Sequence, residues 1–139
     1  MADHDGRGLV RRMARNDPMK RAQYHALASE HDLQKLVLRH LLFHAKPDVQ
    51  WFAIPNQGLR SLRTGARMKA EGMMSGVADL CILMHGGRTG WLELKTPIGR
   101  QTDTQRGFQA RLERLGHIYA VARTLDEAVA TLKEWGALK

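Results

Sequence analysis

Three ionisable side chains stand close together in the stretch "GVADLCILMHGGRTGWLELK", residues 76–95. Asp79 opens an apolar run, and Glu93 and Lys95 close the next one. Residues two apart on a strand project from the same face, so Glu93 and Lys95 point together. Pairing the two runs about the Gly86–Gly87 turn brings Asp79 opposite that end. Two carboxylates at such close quarters repel each other, and each charge taken out of water costs free energy. A divalent cation resolves the conflict, and magnesium is often held by only one or two carboxylates plus water and a substrate phosphate. Lys95 beside it would position or deprotonate a water, or stabilise charge growing on a phosphate. The same residues would serve a purely structural end if Asp79 capped a turn and Glu93 paired with Lys95. An isolated E-x-K favours that plainer role.

The elements that must position these groups follow from periodicity. Ser29 reads as an N-cap, with Glu30 and Asp32 in the first helical turn. Leu33, Leu36, Val37, Leu41 and Leu42 then recur at helical spacing as far as His44. "VQWFAI", 49–54, reads as a strand that stops at Pro55. Residues 56–75 read as one long connection carrying Arg60, Arg63, Arg67 and Lys69. Strands over 77–84 and 91–95 make the hairpin. Thr102 or Asp103 caps a helix that ends at Gly116, 117–122 is a strand, and Thr124 caps a last helix to 135. The order is α-β-β-β-α-β-α, an α/β sandwich around a mixed sheet.

A length of 139 residues suits one domain. Residues 1–28 read as a basic, flexible arm with Arg7, Arg11, Arg12, Arg15, Lys20 and Arg21, in which Met19 to Ala28 can turn helical, and 29–139 as the globular domain. A net charge of +8 and a pI near 10.3 favour polyanionic partners, nucleic acid first. Cys81 is the only cysteine, which excludes an internal disulfide and a multi-cysteine zinc site. His40 and His44 stand four apart on a helix but lack H-E-x-x-H and a third ligand at a recognisable spacing. No P-loop pattern is present, and no apolar run approaches ~18 residues. The first residues carry no apolar signal region, so a cytoplasmic setting, away from membranes, is the expectation.

As an ordered set these pieces resemble the PD-(D/E)XK nuclease superfamily and, within it, the VRR-NUC family. "SEHDLQKLVLRHL" resembles that family's acidic first helix, and "IPNQG" the asparagine-bearing end of its first strand. "SGVADL" resembles its metal-aspartate motif, and "ELKTP" its E-x-K strand. "TDTQRGFQARLERLGHIYAVARTLDEAV" resembles its glutamine-bearing helix, following strand and closing helix. Ala78 stands where the superfamily pattern has proline, and another residue can take up the same extended backbone.

The resemblance implies a restriction-endonuclease-like fold and a Mg2+- or Mn2+-dependent endonuclease. Asp79, Glu93 and the backbone carbonyl of Leu94 become metal ligands, with Lys95 acting on the attacking water. Glu30 reaches the metal directly or through water, Gln34 shares its helical face, and Gln105 orients Lys95 or a phosphate. Independently of the resemblance, Arg60, Arg63, Arg67 and Lys69 on the long connection before Asp79 would contact phosphates at the metal edge, unless that loop is simply solvated. Asn56 and Arg100 are further candidate DNA contacts. The resemblance implies DNA as substrate, with branched forms such as Holliday junctions favoured, and a homodimer, as in small phage or mobile-element proteins. Two other readings remain open at this point: a catalytically silent nucleic-acid-binding module, and a basic protein-interaction subunit.

Overall fold

The structure is a computed structural model that describes residues 18–55 and 62–139, with side chains from 29–55 and 64–139. The 1–17 part of the basic arm, and with it Arg7, Arg11, Arg12 and Arg15, lies outside the described residues, as do Asn56 and Arg60. The chain runs through helix α1 (Pro18–His44), strand β1 (Gln50–Ala53), helix α2 (Leu62–Ala70), strand β2 (Leu80–Met84) and strand β3 (Arg88–Leu94). Helix α3 (Asp103–Arg114), strand β4 (Ile118–Ala122) and helix α4 (Leu125–Glu134) complete it. The sheet order is β1-β2-β3-β4; the first two pairings are antiparallel and β3–β4 is parallel. This is the mixed-sheet α/β sandwich expected, with one helix added between β1 and β2.

Side chains alternate across the sheet and divide it into two unlike faces. Leu80, Ile82 and Met84 of β2, Leu92 and Leu94 of β3, and Ala122 of β4 meet Val37 and Leu41 of α1 and Ala128 and Leu132 of α4 in the main core. Leu80, Ile82, Leu92 and Leu94 are fully buried, each worth about 1.5–3 kcal/mol over exposure. Trp135 packs so closely on Gly90 that a Cβ there would lie 2.5 Å from its ring. The other face is covered by α3. Phe108 stands edge-on to Trp91, with ring centroids 5.5 Å apart, and to Tyr119 at 6.4 Å.

Several local expectations differ from the structure. Helix α1 does not begin at Ser29 but runs unbroken from Pro18. Proline suits the first helical position, and "MKRAQ" is built of good helix formers, so nothing stops the helix before Ser29. Leu36 and Leu42 are exposed; Val37 and Leu41 alone of the five apolar positions are fully buried. The 56–75 connection contains α2, because Gly65 sits inside a run of alanine, methionine, lysine and arginine whose propensity outweighs one glycine. Strand β2 begins at Leu80, so Asp79 precedes it, and β3 begins earlier, at Arg88. The helix caps are those expected: Thr102 accepts from the Gln105 amide and Thr124 from the Glu127 amide.

Candidate active site

The site forms where β2 starts and β3 ends. Leu80 pairs with Leu92, so the residue before β2 and the residues closing β3 meet at one end of the antiparallel pair. Asp79 is 4% exposed, Glu93 0% and Lys95 7%, an unusual burial for three ionisable groups. The Leu94 amide donates to Asp79 Oδ2 at 2.8 Å, which locks the aspartate against the end of β3. Lys95 extends the parallel ladder through its own amide, which donates to the Ala122 carbonyl at 3.0 Å.

Glu93 lies on the α3 face, between Lys95 and Gln105. Lys95 Nζ is 3.3 Å from Glu93 Oε1, and the Gln105 amide donates to that same oxygen at 2.8 Å. Gln105 therefore engages Glu93 rather than Lys95. Its own placement is fixed by the helix cap: its side-chain oxygen accepts from the Thr102 amide at 2.8 Å, while its backbone N–H donates to Thr102 Oγ1. One glutamine thus closes the first turn of α3 and holds the buried carboxylate.

The second oxygen of Glu93, Oε2, is buried with no hydrogen-bond partner. Burial and then the charge of Asp79 push the Glu93 carboxyl up to about 8, against the opposing pull of Lys95. Burial likewise raises Asp79, opposed by the Leu94 N–H and reinforced by Glu30. Lys95 bonds only one oxygen of the Glu93 carboxylate. An orphaned carboxylate oxygen between two raised acids is the donor set a hard divalent cation fits.

Glu30 projects from α1 toward this end of the sheet and is half-buried, as is Gln34 one turn on. Its charge is felt at both Asp79 and Glu93. Among the described residues, no three His, Cys, Asp or Glu side chains gather closely enough to cage a cation. Asp79 and Glu93 would be the direct protein side-chain donors, with Glu30 acting at longer range. Arg63 lies on α2, as do Arg67 and Lys69, which are exposed; Arg67 is paired with Glu71 at 3.0 Å. Arg100 is exposed just before α3. His40 and His44 stack at 4.3 Å, on a different part of α1 from Glu30.

Three further residues shape the site. Gly76, at φ +85°, lets the segment before Asp79 lie against the first turn of α3; a Cβ there would sit 2.4 Å from the Thr104 carbonyl oxygen. Glycine in "SGVAD" was the visible signal for such an approach. Tyr119 lies on the Glu93 face; its hydroxyl accepts from Gln101 at 3.2 Å, and burial followed by the Glu93 charge raises its pKa. Arg123 donates to the Thr96 carbonyl at 3.0 Å and to the Gly99 carbonyl, tying down the turn after Lys95. Nothing in sequence spacing announces that last contact.

The fold that carries this site has solved counterparts. A structure described as a VRR_NUC domain protein superposes with a TM-score of 0.64 at 18% identity, over 77% of this chain and 87% of its own. A second, described as a VRR_NUC domain, gives 0.52 at 17% identity, over 76% of this chain and 95% of its own. The chain therefore shares the fold of these VRR_NUC domain structures, a mixed-sheet α/β sandwich. No family model matches the sequence, and neither does any curated protein.

Proposed function

We propose that this chain is a divalent-metal-dependent endonuclease that hydrolyses phosphodiester bonds in DNA and selects its substrate by structure rather than by sequence. The observation that carries the reading is the buried pair Asp79–Glu93, with Glu93 Oε2 unsatisfied and Lys95 alongside. An unsatisfied buried carboxylate oxygen is costly, which favours a bound partner there over a purely structural ion pair. The likeness to VRR_NUC structures supports the same activity.

A Mg2+ or Mn2+ ion held by Asp79 and Glu93, with the Leu94 carbonyl as a further donor, would act as a Lewis acid toward the phosphate and lower the pKa of water. Asp79 is held for that task by the Leu94 amide, and Glu93 by Gln105. Lys95 supplies the adjacent positive charge: it orients the attacking water for in-line displacement and stabilises the charge that grows on the phosphate. Glu30 would accept hydrogen bonds from waters around the ion. Arg63, Arg67, Lys69 and Arg100, with Asn56 and Arg60, would contact phosphates, which position a duplex without reading its bases.

Branched DNA is the favoured substrate. A homodimer would set two such centres on a four-way junction, in a cytoplasmic setting. Among the described residues no helix is long and apolar enough to cross a membrane. A cleavage panel of junction, flap, nicked, linear and single-stranded DNA, run with Mg2+ and with EDTA, tests the reading. Cleavage with Mg2+ that is lost in EDTA and in Asp79→Asn is expected. DNA binding with no metal-dependent cleavage of any substrate would overturn it.

A further inference from the structure

Between Lys95 and Gln105 the chain makes a short turn that carries an apolar side chain into water. Ile98 is 91% exposed, the most exposed large hydrophobic among the described residues. It sits at the apex of a β-turn closed by the Gly99 amide, which donates to the Thr96 carbonyl at 3.1 Å. The turn is held in two ways. Pro97 precedes Ile98 and fixes its own φ. Arg123 donates to the carbonyls of both Thr96 and Gly99.

Exposing isoleucine is unfavourable, and a flexible loop would fold it back onto the protein. Here the backbone is braced so that it cannot. The surroundings also favour DNA: Arg100 is exposed two residues on, a charge suited to a phosphate beside the apolar tip, while Arg106 on α3 is engaged by Asp103 and by the Gln101 carbonyl. An apolar side chain projecting from a rigid basic turn is the device proteins use to enter a base step and partly unstack it.

We propose that Ile98 is a wedge that packs against unstacked bases of the bound DNA, so that the 96–100 turn selects branched or interrupted duplexes at the cleavage centre. This rests on the nuclease reading of the same site and adds the element that recognises substrate structure. The test is binding in EDTA, where no cleavage is needed, to a four-way junction carrying 2-aminopurine at the branch. Wild-type protein should raise the fluorescence as the base unstacks. Ile98→Ser should lose that rise and bind the junction about tenfold more weakly, while Ile98→Leu retains both. Since the side chain is already in water, Ile98→Ser should melt at the wild-type temperature.

An unchanged fluorescence rise in Ile98→Ser overturns the wedge. So does a wild-type protein that binds no DNA, or an Ile98→Ser protein whose defect is conversion of a dimer to a monomer in sedimentation, which would assign Ile98 to contact with a second copy. A wild-type protein that opens the junction in EDTA yet cleaves nothing in Mg2+ keeps the wedge and removes the nuclease. Cleavage with Ile98→Ser indistinguishable from wild type in fluorescence does the reverse.

Discussion

Lys95 approaches one oxygen of the Glu93 carboxylate, at 3.3 Å, and leaves the other buried without a partner. That unsatisfied oxygen, in a carboxyl that burial and Asp79 push up to about 8, sets what the protein should do.

Without a divalent cation, stability should fall as pH rises. The folded-state pKa of Glu93 is raised from 4.5 to about 8, so the native state holds that proton more tightly than the unfolded chain does. The stabilisation is complete below about 4.5 and is lost as pH climbs through about 8; Asp79 shifts in the same direction. Thermal melts in EDTA should therefore decline across that window, and Mg2+ or Mn2+ should restore the melting temperature at its upper end. Glu93→Gln should flatten the pH dependence.

Gly76 should not tolerate a side chain. Gly76→Ala combines a positive φ with a contact of 2.4 Å to backbone, and should cost about 1–3 kcal/mol in denaturant unfolding. Because the contact seats the approach to Asp79 on the turn that holds Gln105, cleavage should drop further than the lost folded fraction accounts for. Gly86→Ala, with open space around the Cβ, should show the backbone cost without that excess.

Gln105→Glu separates the two tasks of Gln105. Glutamate at this position keeps the capping box on Thr102, so α3 should remain capped. Its carboxylate cannot donate to Glu93 and adds repulsion instead. Cleavage should fall about 10–100-fold, the usual loss when a partner that orients a metal ligand is removed. Helix content by circular dichroism should stay at the wild-type level, and the alkaline loss of stability in EDTA should deepen.

Binding of DNA should weaken steeply with salt if the exposed Arg67, Lys69 and Arg100 contact phosphates as proposed. Lys69→Ala and Arg100→Ala should each reduce the slope of log K against log salt by about 1. Arg67→Ala should reduce it less, because Arg67 already pairs with Glu71.

What could be read in the sequence was whatever depends on short spacing. The alternation in "ELK", the glycine turn and the apolar runs on either side were enough to bring Asp79 to Glu93 and Lys95. The caps at Thr102 and Thr124 are equally local. Helix α2 escaped notice because Gly65 looks like punctuation when its neighbours are not weighed together. Ser29 followed by acids resembles a cap whether or not a helix already precedes it, so the helical 19–28 stretch and the helix from Ser29 turn out to be one element. The exposure of Leu36 and Leu42 depends on which stripe of α1 meets the sheet. The clamp from Arg123 to Thr96 and Gly99, and the contact between Gly76 and Thr104, join segments some 24–28 residues apart, where spacing is silent. Gln105 was singled out by resemblance, yet its hold on Glu93 could be seen only once α3 was laid against β3.

The central claim is that Asp79 and Glu93 together hold the cation that makes this fold a nuclease. A calorimetric titration of metal-free protein with Mn2+ tests it most directly. Binding should be saturable, should release protons, and should tighten as pH rises toward the value of about 8 at which Glu93 loses its proton. It should vanish in Asp79→Asn and in Glu93→Gln, together with metal-dependent cleavage. Mn2+ binding that survives either substitution, or an absence of binding in the wild-type protein, would contradict the account.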